Sequence, residues 1–178
     1  MNSLQIPAYD TPRLTCRRPR GRDRRAYAAL FLHPAVAAAL FPPPLAPYGR
    51  RDAAKLLRAD IEHWHRHGFG PWALLDRATG DFVGRGGLAW TTIDGRQVVE
   101  LPWTIVPSRW GDGLATEAGR AALAVARALD LPEVVSFTRT DNAASRRVME
   151  KVGLEYAGDI THAGLPHALF RDSARPAR

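Results

Sequence analysis

The stretch that decides the reading runs from residue 98 to residue 118: Val98-Val99-Glu100-Leu101-Pro102-Trp103-Thr104-Ile105-Val106-Pro107-Ser108-Arg109-Trp110-Gly111-Asp112-Gly113-Leu114-Ala115-Thr116-Glu117-Ala118. An apolar, β-branched run ends at Pro107, a short turn carries Gly111 and Gly113, and an apolar helical stripe begins at once. Glycines at such a turn adopt backbone angles closed to other residues and let a ligand approach the chain. The first N–H groups of the helix that follows have no intrahelical partner, and the helix dipole favours negative charge there. The spacing predicts a backbone cradle for an anion such as a pyrophosphate. It matches neither the Gly-x-Gly-x-x-Gly dinucleotide fingerprint nor a P-loop with its Lys-Ser/Thr.

Outward from this turn, residues 97–106 read as a strand, with Pro102 implying a bulge or a missing ladder bond. Residues 82–90 and 72–75 read as two earlier strands around the turn at 76–80. Before them lie a helix over 51–66, with Ala54, Leu57, Ile61 and Trp64 on one stripe, and the stiff loop 41–49 with three consecutive prolines. A helical stretch over 23–40, broken near Pro34, and a first strand over 12–18 complete this half. On the other side come a helix over 114–129, a strand over 134–138, a helix from 142 or 143 to 152 closed by Gly153, and a hairpin over 155–161 and 166–170. Neither a repeat nor an interdomain linker interrupts the order. The expectation is one α/β domain over residues 11–171, with flexible ends at 1–10 and 172–178.

Composition excludes several classes. The 178 residues are 46% hydrophobic and 24% charged, ordinary for a packed domain and wrong for a disordered one. No apolar run approaches the roughly 20 residues of a membrane span, and no basic-then-apolar leader opens the chain. One cysteine, Cys16, leaves no intrachain disulfide and no cysteine-built zinc site. A cytoplasmic monomer or homodimer without a membrane partner is expected. The net charge of +7 invites a nucleic-acid reading. All but Lys55 and Lys151 of the 25 basic residues are arginine, however, and they are spread along the chain, which argues against a binding stripe. The dense cluster Arg17, Arg18, Arg20, Arg22, Arg24 and Arg25 reads as a solvated strand end and helix start, or as a docking patch for an acidic partner. His63, His65 and His67 do not make a metal site: only His63 and His67 share a helix face, and no third ligand is evident.

The run Pro107-x-x-Trp110-Gly111-x-Gly113-x-Ala115-Thr116-Glu117-Ala118 resembles the acetyl-CoA signature of the GNAT N-acetyltransferases, in the branch of the ribosomal-protein N-terminal (RimJ/RimL-type) enzymes. Thr11-Pro12-Arg13-Leu14, Glu100-x-x-Trp103 and Asn142-x-x-Ser145-x-x-Val148-Met149-Glu150-Lys151-Val152-Gly153-Leu154 extend the resemblance in register over residues 11 to about 171. It implies the single-domain GNAT fold, a mixed and mostly antiparallel central sheet of six to seven strands flanked by helices. It also implies transfer of acetyl from acetyl-CoA, the co-substrate, to a primary amine, by direct attack in a ternary complex and without a metal. The acceptor it suggests is a protein N-terminal α-amino group, a ribosomal one included, or a small-molecule amine. A non-catalytic acyl-CoA-binding or nucleic-acid-binding protein on the same fold is the alternative.

Site residues follow from the resemblance. The pantetheine arm would pair with Thr104, Ile105 and Val106, with a backbone N–H near Ile105 or Val106 at the oxyanion. The pyrophosphate would sit on the amides of Gly111, Asp112, Gly113, Leu114 and Ala115, with Trp110 as a further cofactor contact. Trp110 stands where the wider superfamily has Gln or Arg. Asn142 and Ser145 would contact the cofactor, although Asn142 is equally a helix N-cap; Arg146 and Arg147 are candidates for the 3′-phosphate. Glu100 is at the position of the base, or is a carboxylate paired with an arginine. Met149 occupies the place of a tyrosine that protonates the thiolate in many relatives, which leaves Ser145 or water for that step. Tyr48, Trp103, His162 and His167 would line the acceptor site.

Overall fold

The computed structural model describes residues 8–172. Of the ends expected to be flexible, 1–10 and 172–178, residues 1–7 and 173–178 lie outside the described residues, and strand β1 (Ala8–Asp10) already forms within the stretch expected to precede the domain. In chain order there follow β2 (Leu14–Arg17), α1 (Arg24–Phe31), α2 (Pro34–Leu40), α3 (Arg50–His67), β3 (Pro71–Asp76), β4 (Phe82–Gly87) and β5 (Ala89–Ile93). Then come β6 (Arg96–Glu100), β7 (Trp103–Ile105), α4 (Leu114–Ala128), β8 (Val134–Arg139), α5 (Ala143–Val152), β9 (Glu155–His162) and β10 (Leu165–Arg171).

The α/β class stands, but hydrogen bonding divides the strands between two five-stranded sheets, β1-β2-β3-β4-β7 and β5-β6-β8-β10-β9, where the family resemblance implies one of six to seven. Two expected strands are each cut in two. Residues 82–90 break at Leu88, after Gly87 takes φ 138° against the backbone of Gly70 and Pro71. Residues 97–106 break at Leu101-Pro102, because Pro102 has no N–H with which to continue a ladder. The first half of each cut pair and its second half join different sheets. Beyond Leu101, whose N–H still donates to Val135 O at 2.8 Å, β7 and β8 part. β6–β8 is the one parallel pairing among the described strands.

The main core fills the space between the sheets and α4, whose buried stripe Leu114, Ala118, Ala121, Ala122 and Val125 is mostly small and lets the helix lie close. Gly119 faces Val152 of α5, where a Cβ would come within 2.9 Å of Cγ1. A second cluster of Tyr27, Leu30, Phe31, Val36, Ala53 and Leu57 packs α1, α2 and α3 on one another. The buried stripe of α3 is Ala53, Leu57, Asp60 and Trp64, so a carboxylate takes the core position expected for Ile61.

Candidate active site

The register of β7 against β4 settles which of its backbone groups are free. Val106 N–H donates to Val83 O at 2.9 Å and Gly87 N–H to Pro102 O at 3.2 Å, with Thr104 opposite Arg85 between them. Hydrogen-bonded pairs alternate along an antiparallel ladder, so Pro102, Thr104 and Val106 turn their backbone groups to β4. Trp103 and Ile105 turn theirs to the open edge, where β8 has diverged. The expectation that Val106 offers its backbone N–H is therefore corrected: that group is spent within the sheet. Ile105 C=O is also occupied, accepting from Trp110 Nε1 at 2.7 Å, which leaves Ile105 N–H and both groups of Trp103 on the open edge.

The turn after β7 is a single 3-10 turn, Pro107–Arg109, followed by Gly111 (φ 88°) and Gly113 (φ 80°) and then α4. Trp110 N–H and Asp112 N–H close back on Pro107 O (3.2 Å) and Arg109 O (3.4 Å), so the Asp112 amide is not free for an anion as expected, and that of Trp110 is not free either. Glu117 N–H is the first to find a helical acceptor, Gly113 O at 3.0 Å. The N–H groups of Gly111, Gly113, Leu114 and Ala115 remain. These four residues line a cavity of about 420 Å³ together with Ile105, Trp110, Asn142, Ser145, Arg147, Val148 and Lys151, and with Val36, Ala39 and Leu40 of α2. Arg147 and Lys151 add positive charge on the α5 side. Arg146 does not: it donates to Thr140 O and lies over the Tyr156 ring. Asn142 is an N-cap, its Oδ1 accepting from Ser145 N–H at 3.1 Å.

A second cavity, of about 390 Å³, lies across β7 and meets the first at Ala39, Leu40, Trp103, Thr104 and Ser145. Strand alternation places Val98 and Glu100 of β6 on the face shared by Val135 and Phe137 of β8 and Leu169 of β10. Glu100 thus looks into this cavity, with Phe137, Arg139, His162 and His167 along its wall and Met149 and Ser145 on the α5 side. Burial pushes the Glu100 carboxyl up to about 7, against the pull of the nearby Arg85 guanidinium. Arg85 is itself committed to Asp60, donating from Nε and Nη2 at 2.7 Å each, and Tyr27 OH donates to the same carboxylate at 3.0 Å. Glu100 is near an arginine but makes no ion pair with it.

The two histidines pack edge-on to one another with centroids 5.4 Å apart, and Phe137 lies against both. Burial holds the His162 imidazole below its ordinary value, with His167 adding to the effect. Tyr48 does not reach the cavity: the proline loop stacks it on Phe41, 4.1 Å between centroids, and Phe41 takes the wall position. His63 is structural, Nε2 accepting from Trp90 N–H at 2.9 Å while Nδ1 meets Phe69 O at 2.8 Å. Among the described residues no group of three or more His, Cys, Asp or Glu is arranged to hold a metal, and no helix is long and apolar enough to cross a membrane. Sequence reasoning missed the α2 lining and the Tyr27–Asp60–Arg85 network. Only the second left a signal, a carboxylate within an apolar helical stripe.

A sequence profile described as an acetyltransferase (GNAT) domain matches residues 13–155. The uncharacterized protein YkkB of Bacillus subtilis (strain 168) is 30% identical over 105 residues, 58% of this chain; the match spans 61% of that relative's length. An acetyltransferase from Agrobacterium tumefaciens str. C58 superposes with a TM-score of 0.78 at 26% identity, over 93% of this chain and 94% of that one. RimJ of Mycobacterium smegmatis, solved in complex with CoA-disulfide, shares the fold at a TM-score of 0.75 and 19% identity, over 95% and 88% of the two chains.

Proposed function

This chain belongs to the GNAT acetyltransferase family, and from that premise we propose that it moves an acetyl group from acetyl-CoA to a primary amine by direct attack in a ternary complex. The observation that carries the reading is the meeting of two cavities at β7, with a desolvated carboxyl, Glu100, in one and a cradle of free amides in the other.

The 420 Å³ cavity suits the donor. The amides of Gly111, Gly113, Leu114 and Ala115 would hold the diphosphate at the positive end of α4. The pantetheine arm would add to the open edge of β7 through Trp103 and Ile105, as a peptide adds to a sheet edge, with the uncapped part of the Asn142 amide as a further contact. Arg147 and Lys151 would face the cofactor's phosphates. The acceptor amine would enter beside Trp103, His162 and His167. Glu100 would take the ammonium proton, directly or through water, and a carboxyl titrating near 7 is half ionised where such a base works best. As nitrogen attacks the thioester carbon, the developing oxyanion would be met by Ile105 N–H. The tetrahedral intermediate then collapses and the C–S bond breaks: the nitrogen would lose its second proton to water or, relayed by Ser145, to the departing thiolate, and CoA leaves as the thiol. A protein N-terminal α-amino group and a small amine are both acceptors of this chemistry.

The test is the pH profile of Glu100→Gln. Wild-type kcat/KM should rise through an apparent pKa near 7. The variant should lose about 10²-fold or more on the alkaline plateau and less below it, where the wild-type carboxyl is itself protonated. An unchanged profile rules out the base.

A further inference from the structure

One carboxylate ties the segment before β2 to the first turn of α4. Glu117 Oε1 accepts from Thr11 Oγ1 at 2.6 Å and from Arg13 N–H at 2.8 Å, and Oε2 accepts from Arg13 Nε at 2.7 Å. Burial works against ionisation of Glu117, but the bonds from Thr11 and Arg13 outweigh it and hold the carboxyl below its ordinary range. The same Arg13 guanidinium donates from Nη1 to the carbonyl of Asp112 at 2.7 Å. On the opposite flank Arg109 joins the Asp112 carboxylate (Nε, 2.6 Å) to Asp76 at the end of β3 (Nη1, 2.8 Å).

The bond to Asp112 O has a directional consequence. In a trans peptide the C=O and the following N–H point opposite ways. Holding the Asp112 carbonyl on the Arg13 side aims Gly113 N–H to the other side, into the cavity that Gly113 lines. A turn with two glycines at positive φ has little intrinsic reason to keep that peptide in one orientation.

We propose that Arg13 and Glu117 are positioning residues for the donor: they lock the 112–113 peptide so that the loop amides converge on the diphosphate of acetyl-CoA before it arrives. The inference rests on the reading of this turn as the diphosphate cradle. Neither residue reaches the thioester, so their contribution falls on donor affinity, through ordering that would otherwise be lost on binding.

The experiment compares acetyl-CoA with S-acetylpantetheine, which has the same thioester and arm but no diphosphate, in wild type, Arg13→Gln and Glu117→Gln. KM for acetyl-CoA should rise about tenfold in both variants with kcat held within about twofold, while kcat/KM for S-acetylpantetheine stays within about twofold of wild type. Equal losses on both donors would mean a general structural role and overturn the proposal, as would no loss on either. A wild type that uses both donors equally well would overturn the cradle reading itself, and the inference with it. Arg13 is half exposed, so its variant keeps the comparison open should the Glu117 variant fold poorly.

Discussion

Glu100 couples stability to pH. Its folded-state pKa is raised from 4.5 to about 7 by burial, so the native state binds the proton more tightly than the unfolded chain. Stability therefore falls as pH rises through that interval and stays lower above it, by up to about 3 kcal/mol. Glu100→Gln removes this cost. Its thermal midpoint should exceed that of wild type well above pH 7 and match it below pH 4.5; a variant no more stable under alkaline conditions would show that the carboxyl is not desolvated. Glu100 stood out in the sequence only through the family resemblance, as a candidate base or an arginine-paired carboxylate. Asp60 did not: helical spacing alone pointed to Ile61, and only the arrival of Arg85 from β4, 25 residues on, explains a carboxylate in that stripe. Tyr48 stays out of the cavity for a similar reason, since nothing local foretells that its ring would stack on Phe41.

At the level of elements, β7 is held in place by what β4 lacks. A Cβ on Gly84 would stand 2.4 Å from the Thr104 carbonyl oxygen, a backbone atom that cannot rotate aside, and 2.9 Å from Ile105 Cδ1. Gly84→Ala should cost about 3 kcal/mol through overpacking, roughly 6–12 °C in Tm. Gly21→Ala, with nothing within 4 Å and no positive φ, should shift stability by less than about 1 kcal/mol. Calorimetry on the two variants checks both. Displacing β7 would also displace the edge on which the donor arm is proposed to lie, so acetyl-CoA affinity should fall in the first and hold in the second. The helices, the closing hairpin and the turns were readable from periodicity and from Gly, Pro and Asp-Gly signals. Pro102 announced an interruption, but not that the chain would leave one sheet for another. That depends on which strand offers a partner, and strand partnership is a long-range property. The same holds for the amide of Val106, whose engagement is decided by β4 and not by its own neighbours.

Over the whole molecule, the parting of two sheets creates a gap, and residues of α2 line it. The sequence carried the class of fold and the order of its elements, because each element is locally specified. It did not carry the division into two sheets or the two cavities, which exist only through pairings between distant segments. Those cavities both border β7 and meet at Ala39, Leu40, Trp103, Thr104 and Ser145. On the proposed assignment, donor and acceptor would occupy separate cavities with a shared wall, and neither would need to vacate its place for the other to come in. The lone thiol, Cys16, is buried in the core with its pKa pushed up to about 12, so it is a poor relay for an acyl group. Initial velocities measured against both substrates should therefore give intersecting double-reciprocal lines, with CoA competing against acetyl-CoA but not against the amine. Parallel lines would require an acetylated protein between two half-reactions. With each substrate in a cavity of its own, the proposed ternary complex would impose no order of admission, and its response to scarcity would be symmetrical: whichever substrate ran short would set the pace, while the other waited already seated.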